Sequence, residues 1–523
     1  MTTGTSRTLR GRRWMAVTGH PLASDAAREA MARGGSMVDA AIAASAVLAV
    51  TATHANSIGS DGFALLYSGG RVSALNGSGA APLAATPGRF AGGIPPKGPI
   101  AAVTPGLPRI WEALHARGGR LPWNGLFRAA IAAAESHEVS PVLLRNLATD
   151  LALLRADPGC AAVYLRDGEP PAPGELLRQP ALADTLRAVA DGGADAFHTG
   201  AIARSLSAAA RAGGGLLSEA DLAAYRPEWT EALTTGYRGL TVHAMPPNAY
   251  GVLMLAQLNA LQSLPSSTLA GDRAAVLALQ IRATFAALAE VKPRICDPRW
   301  RDDAQRAADL DAMLGPAVTA RLCAALSQPA HPLDPPVPGG TTGLVMVDGD
   351  SGDALVMLQS NFQPFGCAFL DPATGVLLNN RMMCFAHDPA DVNAVAPGKR
   401  PAHTHNPLIL TAPDGSLRMA MATPGGISQN VTCVQVLVNR IDRGLSLAES
   451  VDAPRWSTDR FGARVIEREF PQDMPARLAA HGQAVTSAAG SNFFGSVKVV
   501  ERDADGTLTG HADHRRQATV AGN

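Results

Sequence analysis

PVPGGTTGLVMVDGD, residues 336–350, is the stretch from which the fold of this 523-residue chain can be worked out. The segment 327–340 is rich in proline, which fixes φ and removes a backbone donor, so no regular element is expected there. Beyond it, the apolar runs 344–348 and 354–359 flank the turn-forming residues GDSGD, which predicts a β-hairpin. Thr341, the first of two adjacent threonines, is therefore predicted to begin a strand directly after a linker inside the chain.

The position of Thr341 suggests a chemical role. A threonine hydroxyl is a poor nucleophile at neutral pH unless a base lies beside it, and an N-terminal threonine supplies that base in its own α-amino group. Cleavage before Thr341 would create both groups together, and a flexible linker would let the hydroxyl attack the Gly340 carbonyl. Taken alone, however, Gly-Thr-Thr is more often just the β-branched start of a strand, so the rest of the sequence must decide.

Composition narrows the class of protein. The chain is 46% apolar and 17% charged, which allows a large core and excludes disordered and collagen-like classes. Its 45 basic and 45 acidic residues give no net field, so neither nucleic acid nor a membrane is expected as a partner. Six cysteines without a C-x-x-C spacing favour reduced thiols. The basic run near the N-terminus is not followed by an apolar signal segment, so a cytoplasmic location is expected.

Helix and strand signals also occur along the first 340 residues. Residues 21–50 predict two packed helices, the second of them Ala-rich, buried and too short to span a bilayer. A longer helical block is predicted for 107–225, in which Ser218 can cap a helix. Residues 236–261 predict a strand, a Pro-Pro turn and a helix.

Nine stretches, taken in order along the chain, resemble the γ-glutamyltransferase family of N-terminal-nucleophile hydrolases. They are HPLASDAAREAMARGGSMVDAAIAASAVLAV from His20, SIGSDGFALLY from Ser57, LLSEADLAAYRPEW from Leu216, YRGLTVHAMPPNAYG from Tyr237, TTGLVMVDGDSGDALVMLQSNFQPFG from Thr341, TGVLLNNR from Thr374, PGKRPAHTHNP from Pro397, TPGGISQ from Thr423 and SLAESVDAPRW from Ser446. The resemblance implies an α/β fold, a four-layer αββα sandwich. It also implies a precursor that cleaves itself into a large, mostly helical subunit, residues 1–340, and a small subunit, residues 341–523, which together remain one folded body.

The same resemblance implies roles for individual residues. Thr341 matches the nucleophile, with its own amine as the base. Gly425 and Gly426 match paired glycines whose backbone N–H groups face the oxyanion of the tetrahedral intermediate; without the other motifs they would be a plain turn. Asn361 matches an asparagine that orients the acyl group. Gln359 stands where the family places a threonine that supports the nucleophile, and it is also a candidate substrate-binding residue.

Two family serines that hold the substrate carboxylate are altered in this sequence. Thr404 matches the second of them, and His403 replaces the first. His403 and His405 would share one face of a strand, but two histidines without a third ligand do not indicate a metal site. Neither a metal nor a cofactor is expected.

The family's charged contacts to an α-amino acid head group are missing. Ser78 stands in the segment where the family carries an arginine for the α-carboxylate, and Cys384 replaces an aspartate that binds the α-amino group. Each lost charge-assisted hydrogen bond removes roughly 1.5–3 kcal/mol, which weakens ordinary glutathione recognition. Arg381 offers a compensating charge: it either clamps a carboxylate or is a loop residue or structural salt-bridge partner.

The sequence thus predicts an N-terminal threonine amidohydrolase that acts through an acyl-enzyme on a small acyl group bearing a carboxylate, such as an oxamate or oxalyl-like amide. One alternative is a true γ-glutamyltransferase or glutathione hydrolase with a rebuilt pocket, whose substrate would be a γ-glutamyl compound. The other is an uncleaved family member that binds without catalysis. The intact Gly-Thr junction and the paired glycines argue against that last alternative.

Overall fold

A computed structural model describes residues 7–328, 339–459, 462–488 and 494–523. Two seven-stranded antiparallel sheets form its centre. Sheet I has the spatial order β21 (Thr519–Gly522), β2 (Trp14–Thr18), β10 (Gly340–Asp348), β11 (Ala354–Phe362), β3 (Asp61–Ser68), β4 (Arg71–Gly77) and β7 (Glu228–Glu231). Sheet II has the order β1 (Thr8–Gly11), β20 (Leu508–Ala512), β19 (Lys498–Arg502), β15 (Leu417–Ala422), β14 (Leu408–Thr411), β9 (Leu240–Ala244) and β8 (Leu233–Tyr237).

Three small sheets and the helices complete the described chain. The small sheets pair β12 (Leu370–Asp371) with β13 (Val376–Leu377), β5 (His137–Glu138) with β6 (Leu176–Leu177), and β17 (Arg464–Glu467) with both β16 (Trp456–Thr458) and β18 (Thr486–Ala488). The helices are α1 (Pro21–Ala32), α2 (Met37–Thr51), α3 (Leu107–Gly118), α4 (Arg128–Glu135), α5 (Pro141–Thr149), α6 (Leu151–Ala156), α7 (Pro158–Tyr164), α8 (Pro180–Gly192), α9 (Asp195–His198), α10 (Gly200–Ala212), α11 (Glu219–Ala224), α12 (Gly251–Gln262), α13 (Ser266–Ala270), α14 (Arg273–Glu290), α15 (Asp303–Leu314), α16 (Pro316–Ala325), α17 (Ser428–Leu437), α18 (Leu447–Asp452) and α19 (Met474–Ala480).

The layers follow from the alternation of apolar side chains along the strands. In β10, Val345 and Val347 pack between the two sheets with Val500 of β19, whereas Met346 packs outward against α1 and α2. The outer face of sheet II is covered in the same way by α12, α14 and α17. The architecture is the αββα sandwich expected from the sequence.

Most local predictions are confirmed. Residues 21–50 form α1 and α2, and every residue of α2 is buried. Ser218 caps α11 in a capping box with Asp221. The predicted hairpin is β10 and β11, both longer than their apolar runs. Of the predicted linker, residues 329–338 lie outside the described residues.

One segment, Arg273–Arg294, is long and apolar enough to cross a membrane by length and composition alone. In the fold, 72% of its apolar window is buried, and α14 within it packs against α12 and α16. The packing of a core helix therefore accounts for its composition.

Candidate active site

A β-bulge lies at the predicted cleavage point. Gly340 of β10 pairs with Phe362 of β11, and Thr342 pairs with Gln359, so two residues of β11 oppose Thr341 alone. Such bulges re-aim side chains. Here the bulge brings the hydroxyl of Ser360 to the hydroxyl of Thr341.

The contacts of Ser360 join the Thr341 hydroxyl to the peptide bond before it. Thr341 Oγ1 donates to Ser360 Oγ at 3.2 Å, and Ser360 Oγ donates in turn to the Gly340 carbonyl oxygen in a short hydrogen bond. The Phe362 N–H donates to Ser360 Oγ at 2.7 Å. Thr341 and Ser360 are both buried. Ser360 was not among the residues predicted from the sequence, although its place next to Gln359 in the hairpin is a usable signal.

The paired glycines lie against the same junction. Gly425 has φ +134° and Gly426 φ +58°, conformations that favour glycine, and the pair immediately precedes α17. A Cβ added to Gly339 would lie 2.9 Å from the Cα and 3.0 Å from the N of Gly426. The backbone of Gly426 therefore lies against Gly339, two residues before Thr341, near the positive end of the α17 dipole. Their role as oxyanion donors stays a prediction.

Asn361 offers a hydrogen-bond donor with no partner. Its Oδ1 accepts from Ser57 Oγ at 2.9 Å and from Ser60 Oγ at 2.7 Å, which fixes the amide orientation. Its Nδ2 is buried and has no hydrogen-bond partner among the described residues. A buried donor of this kind is costly unless something accepts from it, so it suits a substrate carbonyl.

Gln359 faces away from the junction. Its Oε1 accepts from the Ser45 hydroxyl, and its Nε2 donates to the Ser45 carbonyl at 3.1 Å and to Asn56 Oδ1. These contacts connect β11 to the middle of α2 and to the segment that follows it. In the described structure the hydroxyl that supports Thr341 is thus Ser360, and a substrate-binding role for Gln359 remains an untested prediction.

Arg381 lies in a buried ion pair. Its Nη2 is 3.1 Å from Asp61 Oδ1, while Asp61 Oδ2 is 3.1 Å from His403 Nε2, and all three side chains have no exposed surface. The Gly79 N–H also donates to Asp61 Oδ2, at 3.2 Å. Arg381 is thus a structural salt-bridge partner, one of the two alternatives. Its Nε is buried without a partner among the described residues and Nη1 lies 3.9 Å from the Cys384 sulfur, so donors remain for a substrate.

The protonation states of this group follow from its contacts. The backbone N–H of His405 donates to His403 Nδ1 at 3.2 Å. His403 Nδ1 is therefore an acceptor, and His403 Nε2 carries the proton that Asp61 accepts. Burial, with the Arg381 charge, lowers the pKa of His403 to about 4. Burial alone would raise the pKa of Asp61, but Arg381 and His403 outweigh it and hold that pKa well below its ordinary range. The group therefore contains one anion, one cation and a neutral imidazole at neutral pH.

The remaining predicted positions surround this group. Thr404 is half-buried beside His403, whose backbone bonds to Asn248 and Tyr250. Ser78 Oγ accepts from Asn248 Nδ2 at 3.1 Å. Burial raises the pKa of Cys384 to about 11, so its thiol is neutral and cannot pair with an ammonium.

A small polar cavity of about 20 Å³ adjoins Thr341, enough for one water molecule. It is lined by Thr341, His54, Lys498 and Arg516 among others. Arg516 Nη1 donates to the Thr341 carbonyl at 3.2 Å. Burial, and then the Arg516 charge, lowers the pKa of Lys498 to about 7. The local sequence pattern around Thr341 could not indicate Lys498 and Arg516, because they come from β19 and from the turn between β20 and β21.

Within the described ranges, one group of side chains has the spacing of a metal site: Asp452, Asp513 and His514, with ligand atoms within 4.8 Å. Asp513 is already bound by Arg455 at 2.7 Å and Arg515 at 3.2 Å, and that positive charge opposes a cation. His403 and His405 do not belong to this group.

Comparison with known proteins shows which family this chain belongs to. The family model described as gamma-glutamyltranspeptidase matches residues 23–523. The oxamate amidohydrolase proenzyme of Klebsiella pneumoniae is 34% identical, over 97% of this chain and 98% of its own. The glutathione hydrolase proenzyme of Escherichia coli is 29% identical, over 97% and 91%. The crystal structure of cephalosporin acylase from Bacillus halodurans has 30% identity and a TM-score of 0.90, over 100% of this chain and 98% of its own. With hydrolases and an acylase similar along its whole length, this chain is an enzyme that belongs to the γ-glutamyltranspeptidase family.

Proposed function

We propose that the chain is a self-cleaving amidohydrolase in which cleavage between Gly340 and Thr341 releases the nucleophile. The observation that carries the proposal is that the Thr341 hydroxyl and the Gly340 carbonyl both bond to Ser360 Oγ, while the backbone of Gly426 lies against Gly339. The relatives named oxamate amidohydrolase and glutathione hydrolase are both proenzymes, which supports a precursor here. The products would be subunits of residues 1–340 and 341–523.

In the mature enzyme the α-amine of Thr341 would act as the general base. The deprotonated Oγ attacks the substrate amide carbonyl, and the negative oxygen of the tetrahedral intermediate faces the N–H groups of Gly425 and Gly426. Collapse expels the amine and leaves an ester on Thr341, which water then hydrolyses. The paired glycines thus contribute most where negative charge develops.

The substrate class follows from the donors and acceptors that are left free. Asn361 Nδ2 and Arg381 Nε are buried donors without partners among the described residues, which suits a carbonyl and a carboxylate. The oxygens of Asp61 already accept from Arg381, His403 and Gly79, so they leave little for a substrate ammonium. We therefore infer a short acyl group that carries a carboxylate and no α-amino group, such as an oxalyl or other dicarboxylic monoamide.

A γ-glutamyl substrate is the second candidate, because the Escherichia coli relative is named a glutathione hydrolase proenzyme. A γ-glutamyl group would bring an ammonium to a pocket in which Cys384 is a neutral thiol. Recognition would then depend on groups other than Cys384 and Asp61.

Mass spectrometry of the purified protein tests the nucleophile. We expect two chains, the smaller beginning at Thr341, and a Thr341→Ala variant that stays uncut because it lacks the attacking hydroxyl. N-terminal sequencing that finds a single full-length chain with full activity would exclude the mechanism.

An acyl-donor panel then tests the substrate class. Oxamate and other dicarboxylic monoamides are compared with γ-glutamyl-p-nitroanilide at equal enzyme concentration, with Thr341→Ala as the blank. We expect kcat/KM to be higher for the monoamides. Efficient γ-glutamyl turnover would overturn the pocket assignment and leave the nucleophile assignment intact.

A further inference from the structure

Ser360 has one hydrogen to donate and two acceptor sites on its oxygen, and the described contacts account for all three. The oxygen accepts from Thr341 Oγ1 at 3.2 Å and from the Phe362 N–H at 2.7 Å. The hydroxyl hydrogen of Ser360 is therefore donated to the Gly340 carbonyl oxygen, in the short hydrogen bond described above. The direction of donation along Thr341, Ser360 and Gly340 is thus fixed by the contacts themselves.

We propose that Ser360 relays the proton of the Thr341 hydroxyl to the Gly340 carbonyl during self-cleavage. This inference rests on the proposed function and adds to it a residue for the maturation step. Gln359, the neighbouring residue, cannot take this role in the described structure, because its side chain bonds to Ser45 and Asn56.

The step balances without any group that the chain lacks. Thr341 Oγ bonds to the Gly340 carbonyl carbon while its proton moves to Ser360 Oγ, and the proton of Ser360 moves to the carbonyl oxygen. As the C–N bond breaks, the proton of the adduct hydroxyl passes to the Thr341 nitrogen, and Gly340 becomes an ester on Thr341 Oγ. Water then hydrolyses this ester to a Gly340 carboxylate and a free Thr341 hydroxyl, and the proton released goes to the new Thr341 amine.

The hydrogen bonds that Ser360 already makes in the uncleaved chain support a role in the reaction over a purely structural one. A hydroxyl that only filled space would not need to contact both the attacking oxygen and the carbonyl under attack. The N–H of Phe362 donates to Ser360 Oγ and holds it in place. Phe362 itself has a φ of +76°, a left-handed conformation that is unusual for a residue other than glycine. Unusual dihedrals of this kind persist where the surrounding structure enforces them.

The test follows the rate of self-cleavage of freshly purified precursor by intact mass. General acid–base groups contribute about 10²–10⁴-fold, so we expect Ser360→Ala to slow cleavage by about 10² or more. Ser450→Ala is the matched control. This buried serine of α18 donates to the nearby backbone carbonyls of Leu445 and Ser446 rather than to Gly340, so the variant should cleave at the wild-type rate. Circular dichroism and thermal melting establish that each precursor is folded.

A second pair of variants separates the hydroxyl from packing. Ser360→Thr and Ser360→Val add the same branching and differ only in a hydroxyl against a methyl group. We expect the Thr variant to cleave at least about 10-fold faster than the Val variant, a difference of at least 1.4 kcal/mol in activation free energy. Equal rates for this pair, or cleavage of Ser360→Ala at the wild-type rate, would overturn the relay. The proposed function would still stand in that case, provided that the wild-type protein is cleaved before Thr341. An uncut wild-type protein would overturn both.

Discussion

Arg381 and Asp61 form an ion pair with no exposed surface, and this constrains how either residue can serve a substrate. Removing one partner of such a pair typically costs about 3–5 kcal/mol, because the other charge is left buried and uncompensated. Arg381 still has donors to spare, since a guanidinium carries five N–H groups and Asp61 is bonded through Nη2. The two interpretations of Arg381, structural partner and carboxylate clamp, are therefore compatible.

Arg381→Lys tests the clamp with less damage than Arg381→Ala. A lysine keeps a positive charge beside Asp61 but loses the planar fork that binds a carboxylate through two bonds. We expect KM for a carboxylate-bearing substrate to rise while kcat changes little, which is the signature of lost uniform binding. Arg109→Lys is the control, because Arg109 is also nearly buried and ion-paired, to Glu112 and Asp195, away from the site. Unchanged kinetics in Arg381→Lys would mean that the carboxylate is held elsewhere.

At the scale of elements, the turn between β15 and α17 sets the position of Gly425 and Gly426, the predicted oxyanion donors. Gly426→Ala should lower kcat by about 10²–10³-fold, the loss typical of one oxyanion-hole donor, because a Cβ shifts the backbone at the junction. Gly415→Ala is a matched control in the β14–β15 turn. Its φ is +83° and a Cβ there would meet no atom within 4 Å, so it reproduces the backbone strain outside the site. Equal loss of activity in both variants would contradict the specific role of Gly426.

The sequence predicted the elements better than their register. Two apolar runs around GDSGD were enough to predict the β10–β11 hairpin, and the resemblance to the family implied the four layers. They could not show that a bulge places Ser360 rather than Gln359 at Thr341, because a shift of one residue exchanges the two faces of a strand. Asp61 and Arg381 are 320 positions apart, so their ion pair depends on the tertiary fold rather than on any local pattern.

At the scale of the whole molecule, buried histidines couple stability to pH. Burial lowers the pKa of His54 and His198 to about 3 and that of His403 to about 4, whereas an unfolded histidine titrates near 6.5. Between these values the unfolded chain binds more protons, so this stabilisation is complete above about pH 6.5 and declines as the pH falls toward 4. Each histidine can change the free energy of unfolding by at most about 1.4 kcal/mol per pH unit.

We therefore expect the free energy of unfolding, measured with urea at pH 7.5, 6.0 and 5.0, to fall steadily. His198→Gln removes one titrating group, so its curve should be less steep than that of the parent protein. A free energy of unfolding that stayed constant from pH 7.5 to 5.0 would contradict the neutral, buried state of these rings.

Strand pairing across the proposed cleavage point predicts how the two products behave. In sheet I, β10 of the proposed small subunit pairs with β2 of the proposed large one, and β11 pairs with β3. In sheet II, β14 pairs with β9 and β20 with β1. Both halves also contribute to the apolar layer between the sheets. Cleavage before Thr341 would break one peptide bond and no strand pair. We expect the two chains to elute together in size-exclusion chromatography, at the volume of uncut Thr341→Ala, and to separate only in denaturant. Separate elution under native conditions would show that the sandwich does not hold the two chains together.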